Sequence, residues 1–86
     1  MTEVVYSVWE LIVREKDRNE DTFEKVGSSL ADDLPTALHM SQDILEDGVI
    51  TFRRLTGGSY ILDNREIMRR VCISEREVTK NEWFEN

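Results

Sequence analysis

The sequence predicts an α+β fold: a small antiparallel sheet in the order β-β-α-β-β, with room for a fifth strand, and one amphipathic helix packed on one face. Three patterns predict this fold. A stretch rich in Val, Ile and aromatic residues at 4–14 alternates as a strand does. Residues 34–47 repeat their apolar positions at helical period. Two further β-rich runs flank the pair Gly57 and Gly58, which is typical of a hairpin.

The first predicted strand, residues 4–14, is apolar on both faces. One face carries Val5, Trp9, Leu11 and Val13, and the other carries Tyr6, Val8 and Ile12, interrupted by Glu10. A strand of this kind is usually central in a sheet, or has its second face covered by another chain. The seven polar residues 15–21 then predict a solvated turn, and residues 22–27 a second strand that folds back on the first.

The helix has a single apolar stripe. Its members are Leu34, Ala37, Leu38, Ser41, Ile44 and Leu45. Asp33 is placed to cap the N-terminus, and Pro35 lies in the first turn, where its missing N–H is not needed. Gly48 is predicted to end the helix as a left-handed residue. Because one helix covers one face of a small sheet, we expect a partner, most simply a second copy of the chain, to cover the other.

The segment that follows the hairpin has two interpretations. In the first, Asp63 and Glu66 form a capping pair for a short helix. In the second, the alternation in residues 68–73 predicts an additional strand, and we prefer this interpretation. We expect residues 1–80 to form a single domain and residues 81–86 a short acidic C-terminal tail.

Composition restricts the function classes. The chain has 86 residues, a net charge of −7 and one cysteine, Cys72, so it cannot form an intrachain disulfide. No apolar run is long enough for a transmembrane helix or a signal peptide. These features predict a cytoplasmic protein that does not bind membranes. The net charge disfavours nucleic acid and favours a basic partner.

Basic residues are concentrated in one part of the chain. Residues 1–50 carry a net charge of −8, whereas residues 51–74 carry +3. The five bases of this second region are Arg53, Arg54, Arg65, Arg69 and Arg70. Strand alternation sends Arg53 and Arg54 to opposite faces, but a neighbouring strand could align Arg69 or Arg70 with one of them. Such a row would suit phosphate or carboxylate groups.

The arginines also have an internal interpretation, which we favour because the chain is acidic: they neutralise the helix acids Asp43, Glu46 and Asp47. These acids lie at the helix end where the dipole disfavours them. A second candidate binding feature is the aromatic pair Trp83 and Phe84 in the tail. The candidate binding residues are therefore Arg53, Arg54, Arg69, Arg70, Asp43, Glu46, Asp47, Trp83 and Phe84.

No catalytic or metal-binding pattern is complete. Residues 17–21 begin like a calcium loop but lack its glycine and its final glutamate. His39 and Asp43 are one helical turn apart without further ligands, and Cys72 lies between apolar neighbours. We therefore expect a protein that is not an enzyme and that uses no metal or cofactor.

The preferred function is a small protein–protein interaction or regulatory module that forms a homodimer. Its acidic charge suggests an inhibitor of a basic, nucleic-acid-binding partner, in the manner of the nucleic-acid mimics of phages and mobile elements. The alternative is a nucleic-acid-binding protein that uses the arginine-rich hairpin.

Overall fold

The computed structural model describes residues 4–80 and confirms the predicted α+β class. A five-stranded antiparallel sheet packs against one helix. The elements are β1 (Val5–Glu15), β2 (Glu24–Ala31), α1 (Leu34–Ile44), β3 (Ile50–Arg54), β4 (Tyr60–Asn64) and β5 (Arg69–Thr79). The strand order across the sheet is β2-β1-β5-β4-β3. Among residues 4–80, no helix has the length and apolarity needed to cross a membrane.

The first and last strands form the centre of the sheet. β1 pairs with β5 from Val5 opposite Thr79 to Glu15 opposite Arg69, without interruption. The apolar character of β1 on both faces agrees with this central position. The preferred interpretation of the segment after the hairpin is confirmed, because β5 is a strand. The helical alternative is wrong: residues 65–68 form a turn, in which Met68 adopts a positive φ of 54°.

The core lies between α1 and the strands β1, β2 and β5. Its fully buried side chains include Leu11, Leu45, Val71 and Ile73. Ala37 and Ser41 of the predicted stripe are also buried, so the helical period identified the packed face correctly. The Ser41 hydroxyl donates to the backbone carbonyl of Ala37, which is 2.8 Å away. This buried polar group therefore has a hydrogen-bond partner.

The N-terminus of α1 lies where the sequence predicts it, but the C-terminus does not. Asp33 caps the N-terminus as expected, since its Oδ1 accepts the N–H of Thr36 at 2.8 Å. The predicted C-terminus is wrong in position, because the helix ends at Ile44 and Glu46 is the residue with positive φ (54°). Gly48 is needed for a different reason: a Cβ there would come within 2.8 Å of the Asn64 amide nitrogen.

The predicted hairpin is present as β3 and β4. Gly57 and Gly58 both have positive φ, 95° and 86°, which explains why glycines occupy the turn. The hairpin extends beyond the strands that α1 mainly covers. On the α1 side of the sheet, this leaves an aromatic and basic surface that we call the β3 ledge, formed by Phe52, Arg54 and Tyr60.

Candidate functional site

Most of the clustered arginines line one open cleft at the end of the sheet where the β4–β5 turn meets β3. Its volume is about 460 Å³. The charged side chains that line it are Lys16, Arg53, Asp63, Arg65, Arg69 and Arg70. We call this feature the basic cleft. The cleft therefore contains five basic groups and one carboxylate, in a chain whose net charge is −7.

Asp63 is the centre of the basic cleft. Arg70 donates to both of its carboxylate oxygens, through Nε at 2.6 Å and Nη2 at 3.3 Å. Arg53 approaches the same carboxylate at 4.0 Å from the neighbouring strand. The hydrogen bonds with Asp63 raise the pKa of the Arg70 guanidinium above its ordinary value. Arg70 is therefore charged at every physiological pH and is held in a fixed orientation.

Phe23 forms the aromatic wall of the basic cleft. Its ring lies 4.3 Å from the guanidinium carbon of Arg70 and 5.7 Å from the ammonium nitrogen of Lys16. Lys16 also donates to the backbone carbonyl of Glu20 at 2.9 Å, which ties it to the β1–β2 loop. Cations at such distances from a ring face are attracted by its quadrupole. The ring therefore helps to hold two positive charges on the same side of the cleft.

Arg69 has a different role from Arg70. Its Nε donates to Glu15 at 2.6 Å, and its Nη1 donates to the backbone carbonyl of Ile44 at 2.7 Å. Ile44 is the last residue of α1, where helix carbonyls lack intrahelical partners. Arg69 thus satisfies the helix C-terminus and complements its dipole. This guanidinium links β1, β5 and α1.

The interpretation that the arginines neutralise the helix acids is wrong. None of Arg53, Arg54, Arg65, Arg69 or Arg70 pairs with Asp43, Glu46 or Asp47. The internal carboxylates are instead Glu15 and Asp63, which lie on strands. Asp43 lies 3.9 Å from His39 in an exposed i,i+4 pair. The reason is topological: α1 ends beside Arg69, which reaches the backbone carbonyl of Ile44 and the carboxylate of Glu15 rather than a helix acid.

Adjacent arginines of β3 serve different surfaces. Arg53 is in register with Ile61 and approaches Asp63, on the face opposite α1. Arg54 is in register with Tyr60 and lies exposed on the β3 ledge. The next side chain on the ledge, Phe52, is 53% exposed, and its ring centroid is 5.4 Å from that of Tyr60.

The sequence identified the arginines of the basic cleft but missed two further contributors. Lys16 and Phe23 come from the β1–β2 loop region. No local pattern links these residues to the hairpin, because the β1–β5 pairing alone brings them near it. Trp83 and Phe84, the aromatic candidates of the tail, lie outside the described residues.

The basic groups of the cleft are suited to binding an anion. Guanidinium and ammonium groups donate hydrogen bonds but cannot act as bases while charged. Across residues 4–80 there is no group of three or more His, Cys, Asp or Glu side chains that could hold a metal ion. Cys72 is half-buried in β5 and is in register with Ile12 and Ile61.

Comparison of the chain with protein-family models, with curated proteins and with solved structures finds no match.

Proposed function

We propose that this chain is a non-enzymatic protein-interaction module that docks an extended, acidic segment of a partner protein along the edge strand β3. The observation that carries the proposal is that β3 is an exposed strand with one unpaired edge in the described part of the chain. Within residues 4–80, β3 pairs with β4 alone, and four of its five residues are exposed. An unpaired edge offers backbone N–H and C=O groups to an incoming strand.

The other edge of the sheet is less suited to docking. β2 carries a bulge at Val26, where its register with β1 shifts between Val13 and Arg14. Bulges twist an edge and interrupt regular pairing. β2 is also packed beneath α1. The β3 edge has no such bulge in its pairing with β4, so it is the better template for an added strand.

Exposed apolar side chains adjoin the β3 edge. Phe52 is 53% exposed, Val49 is 76% exposed, and Leu55 is exposed as well. An edge peptide that adds beside β3 would cover part of this apolar surface while pairing with the backbone. Burial of apolar area contributes roughly 25 cal/mol per Å². The β3 ledge can therefore supply affinity, and the edge can supply orientation.

Charge selects the partner. Arg53 and Arg54 project from the docking strand to its two faces, and within residues 4–80 no carboxylate pairs with Arg54. Charged residues on an edge oppose pairing with neutral or basic strands. An acidic strand instead gains attraction on both faces. The earlier expectation of a basic partner rests on the net charge of the whole chain and stays a prediction for its acidic surfaces.

Nucleic acid is a weaker candidate for the β3 edge. The net charge of −7 repels a polyphosphate at long range, and this term governs non-specific affinity. Stacking of successive bases needs several exposed aromatic side chains. On the β3 ledge, Phe52 is the exposed ring and Tyr60 is partly covered.

The test uses defined probes. A short peptide that alternates Val and Glu, its Val and Lys counterpart, and a generic single-stranded DNA are labelled and titrated with the protein at low and moderate salt. We expect the Glu peptide to bind and to protect the amides of residues 50–54 from hydrogen exchange. Arg54→Glu should weaken the affinity for the Glu peptide about tenfold, because charge-assisted contacts are lost and repulsion is gained.

The matched control is Arg18→Glu, which makes the same charge change at an exposed loop position away from β3. It should alter the affinity less than about twofold, as expected for a screened distant charge. Equal losses in the two variants would show that net charge alone acts. Salt-sensitive DNA binding that vanishes in the Arg53→Glu, Arg54→Glu double variant would favour the nucleic-acid alternative.

A second candidate is self-association through the face opposite α1. Ile12, Cys72 and Ile61 are in register on neighbouring strands and make one half-buried apolar row across that face. Self-pairing at the β3 edge is less favourable, because a two-fold axis there would bring four arginines together. A homodimer would therefore use the apolar row, and its test is the concentration dependence of the molecular mass.

A further inference from the structure

We propose that the basic cleft is a binding site for a phosphate monoester. The first support is its uncompensated charge. Asp63 is bonded to Arg70, and Glu15 is bonded to Arg69. Arg53 has only the 4.0 Å approach to Asp63, whereas Lys16 and Arg65 have no carboxylate partner among the described residues.

Folding therefore gathers like charges that would be farther apart in the unfolded chain. Mutual repulsion in a partly desolvated cleft opposes this arrangement. A bound anion between the side chains relieves the repulsion, and it binds the folded state selectively. Arg69 holds the end of α1, whereas Arg53 and Arg65 make no side-chain hydrogen bond within residues 4–80 and stay available to a ligand.

Arg70 is prepared to bind an anion. Asp63 fixes its guanidinium plane through two hydrogen bonds, and the Phe23 ring covers it at 4.3 Å. These contacts use part of the N–H donors of the guanidinium and leave the others open. A ligand then loses little entropy in ordering this side chain. The exposed Arg53, on the same face, can close on the ligand from the β3 side.

The charge count favours a phosphate monoester over other anions. A carboxylate carries one charge, and the cleft already matches its single carboxylate to Arg70. A phosphodiester also carries one charge per phosphate. A monoester carries about two charges and three acceptor oxygens, which several basic groups can bind together. The volume of about 460 Å³ leaves room for an organic group beside Phe23.

The experiment is a proton–nitrogen NMR titration of the full chain with inorganic phosphate, at constant ionic strength set with chloride. We expect saturable shifts of the Arg70 side-chain N–H and of the Phe23 amide, with a dissociation constant in about the millimolar range or tighter. Shifts that stay linear, or that spread equally over all exposed bases, would overturn the site.

Variants identify the contributing side chains. Arg53→Gln combined with Arg65→Gln should weaken phosphate binding about tenfold, because two charge-assisted donors are lost. The control combines Arg54→Gln with Arg18→Gln, which removes the same number of charges at exposed positions that do not line the cleft, and it should change affinity by less than about twofold. These positions are exposed, and circular dichroism checks that each variant folds. An equal effect of the control would overturn the proposal.

Two further arms separate the sources of the phosphoryl group. A phosphoserine peptide is compared with its serine counterpart, and ribose 5-phosphate with ribose. Tighter binding of either phosphorylated probe supports the site and names its source, whereas equal binding of each pair contradicts it. A short single-stranded DNA that binds as tightly as the monoesters would overturn the preference for a monoester. The β3 docking test reads the amide protection of residues 50–54 and the effect of Arg54→Glu, whereas the phosphate test reads the Arg70 side chain and the Phe23 amide, so either proposal can fail without the other.

Discussion

Asn64 connects the helix to the sheet through one buried side chain. Its Nδ2 donates to the backbone carbonyl of Leu45 at 2.7 Å, and its Oδ1 accepts the N–H of Glu66 at 3.0 Å. The side chain therefore satisfies the C-terminus of α1 and the start of the β4–β5 turn together. Gly48 passes so close that any larger residue would push against this amide.

We predict that Asn64→Ala lowers the free energy of unfolding by about 1–3 kcal/mol, because the Leu45 carbonyl loses its donor while buried. Asn64→Asp should be more harmful, since it places a carboxylate oxygen against a carbonyl oxygen. Urea unfolding measures both. The control is Asn19→Ala in the exposed β1–β2 loop, expected within about 0.5 kcal/mol of wild type. A neutral Asn64→Ala would contradict the assigned role.

Local residue roles could be predicted from the sequence, and long-range ones could not. Asp33 was identified as a cap because its partner, Thr36, is three residues away. No local sequence pattern predicts the roles of Asn64 and Asp63. Asn64 contacts a residue 19 positions away, and Asp63 is bonded across a strand pair. The approach of Arg53 and Arg70 to one carboxylate, Asp63, follows from the sequence only if residues 68–73 form a strand beside the hairpin.

At the scale of elements, strand pairing settles whether the segment after the hairpin is a strand or a helix, which sequence periodicity leaves open. Residues 69–79 alternate weakly and contain five charged residues, so their sequence alone does not exclude a helix. Pairing with β1 over eleven residues and with β4 over five satisfies their backbone in a way that an isolated short helix cannot. The helix end was misplaced for a related reason: Glu46 accepts the left-handed conformation because Asn64 fixes the preceding carbonyl.

The N-cap of α1 should make stability depend on pH. The hydrogen bond from Thr36 lowers the pKa of Asp33 below its ordinary value of 3.8. A lowered pKa in the folded state stabilises the protein above the ordinary value, and this contribution is lost as the pH falls through the folded value. Asp33→Asn keeps an acceptor but removes the titration.

We therefore predict that wild type is more stable than Asp33→Asn at neutral pH. The difference between their free energies of unfolding should narrow below about pH 3.8. Asp33→Ala should be less stable than both at neutral pH, because no acceptor remains. Thermal unfolding at several pH values measures the effect. Asp32→Asn, an exposed neighbour, serves as the control. A constant difference between wild type and Asp33→Asn would rule out the titration.

At the scale of the whole molecule, charge is divided between surfaces rather than neutralised internally. The acids at the end of α1 and the bases of the hairpin do not pair, so the acidic and basic regions of the sequence remain distinct in the fold. The basic cleft and the β3 ledge lie on opposite faces of the same hairpin, separated by the alternation of Arg53 and Arg54. A small chain thus presents two basic surfaces within an acidic whole.

We predict that the molecular mass rises with protein concentration, as a homodimer through the row of Ile12, Cys72 and Ile61 requires. Ile61→Lys should keep the chain monomeric, because a buried unpaired charge opposes assembly. Phe52→Lys, which adds the same charge on the other face, should leave the association unchanged. Sedimentation equilibrium measures both, and circular dichroism verifies their folding. A concentration-independent monomer mass for wild type would exclude self-association.

The pairing of β1 with β5 affects how the chain folds during its synthesis. Residues 5–15 are synthesised about sixty residues before their central partner, residues 69–79. Until then the basic cleft has neither Arg69 nor Arg70, and the emerging β1 exposes apolar side chains on both faces. Contacts between such distant segments slow folding and prolong the exposure of aggregation-prone strands. A nascent chain of this architecture completes its sheet, its core and its basic cleft only after β5 has been synthesised.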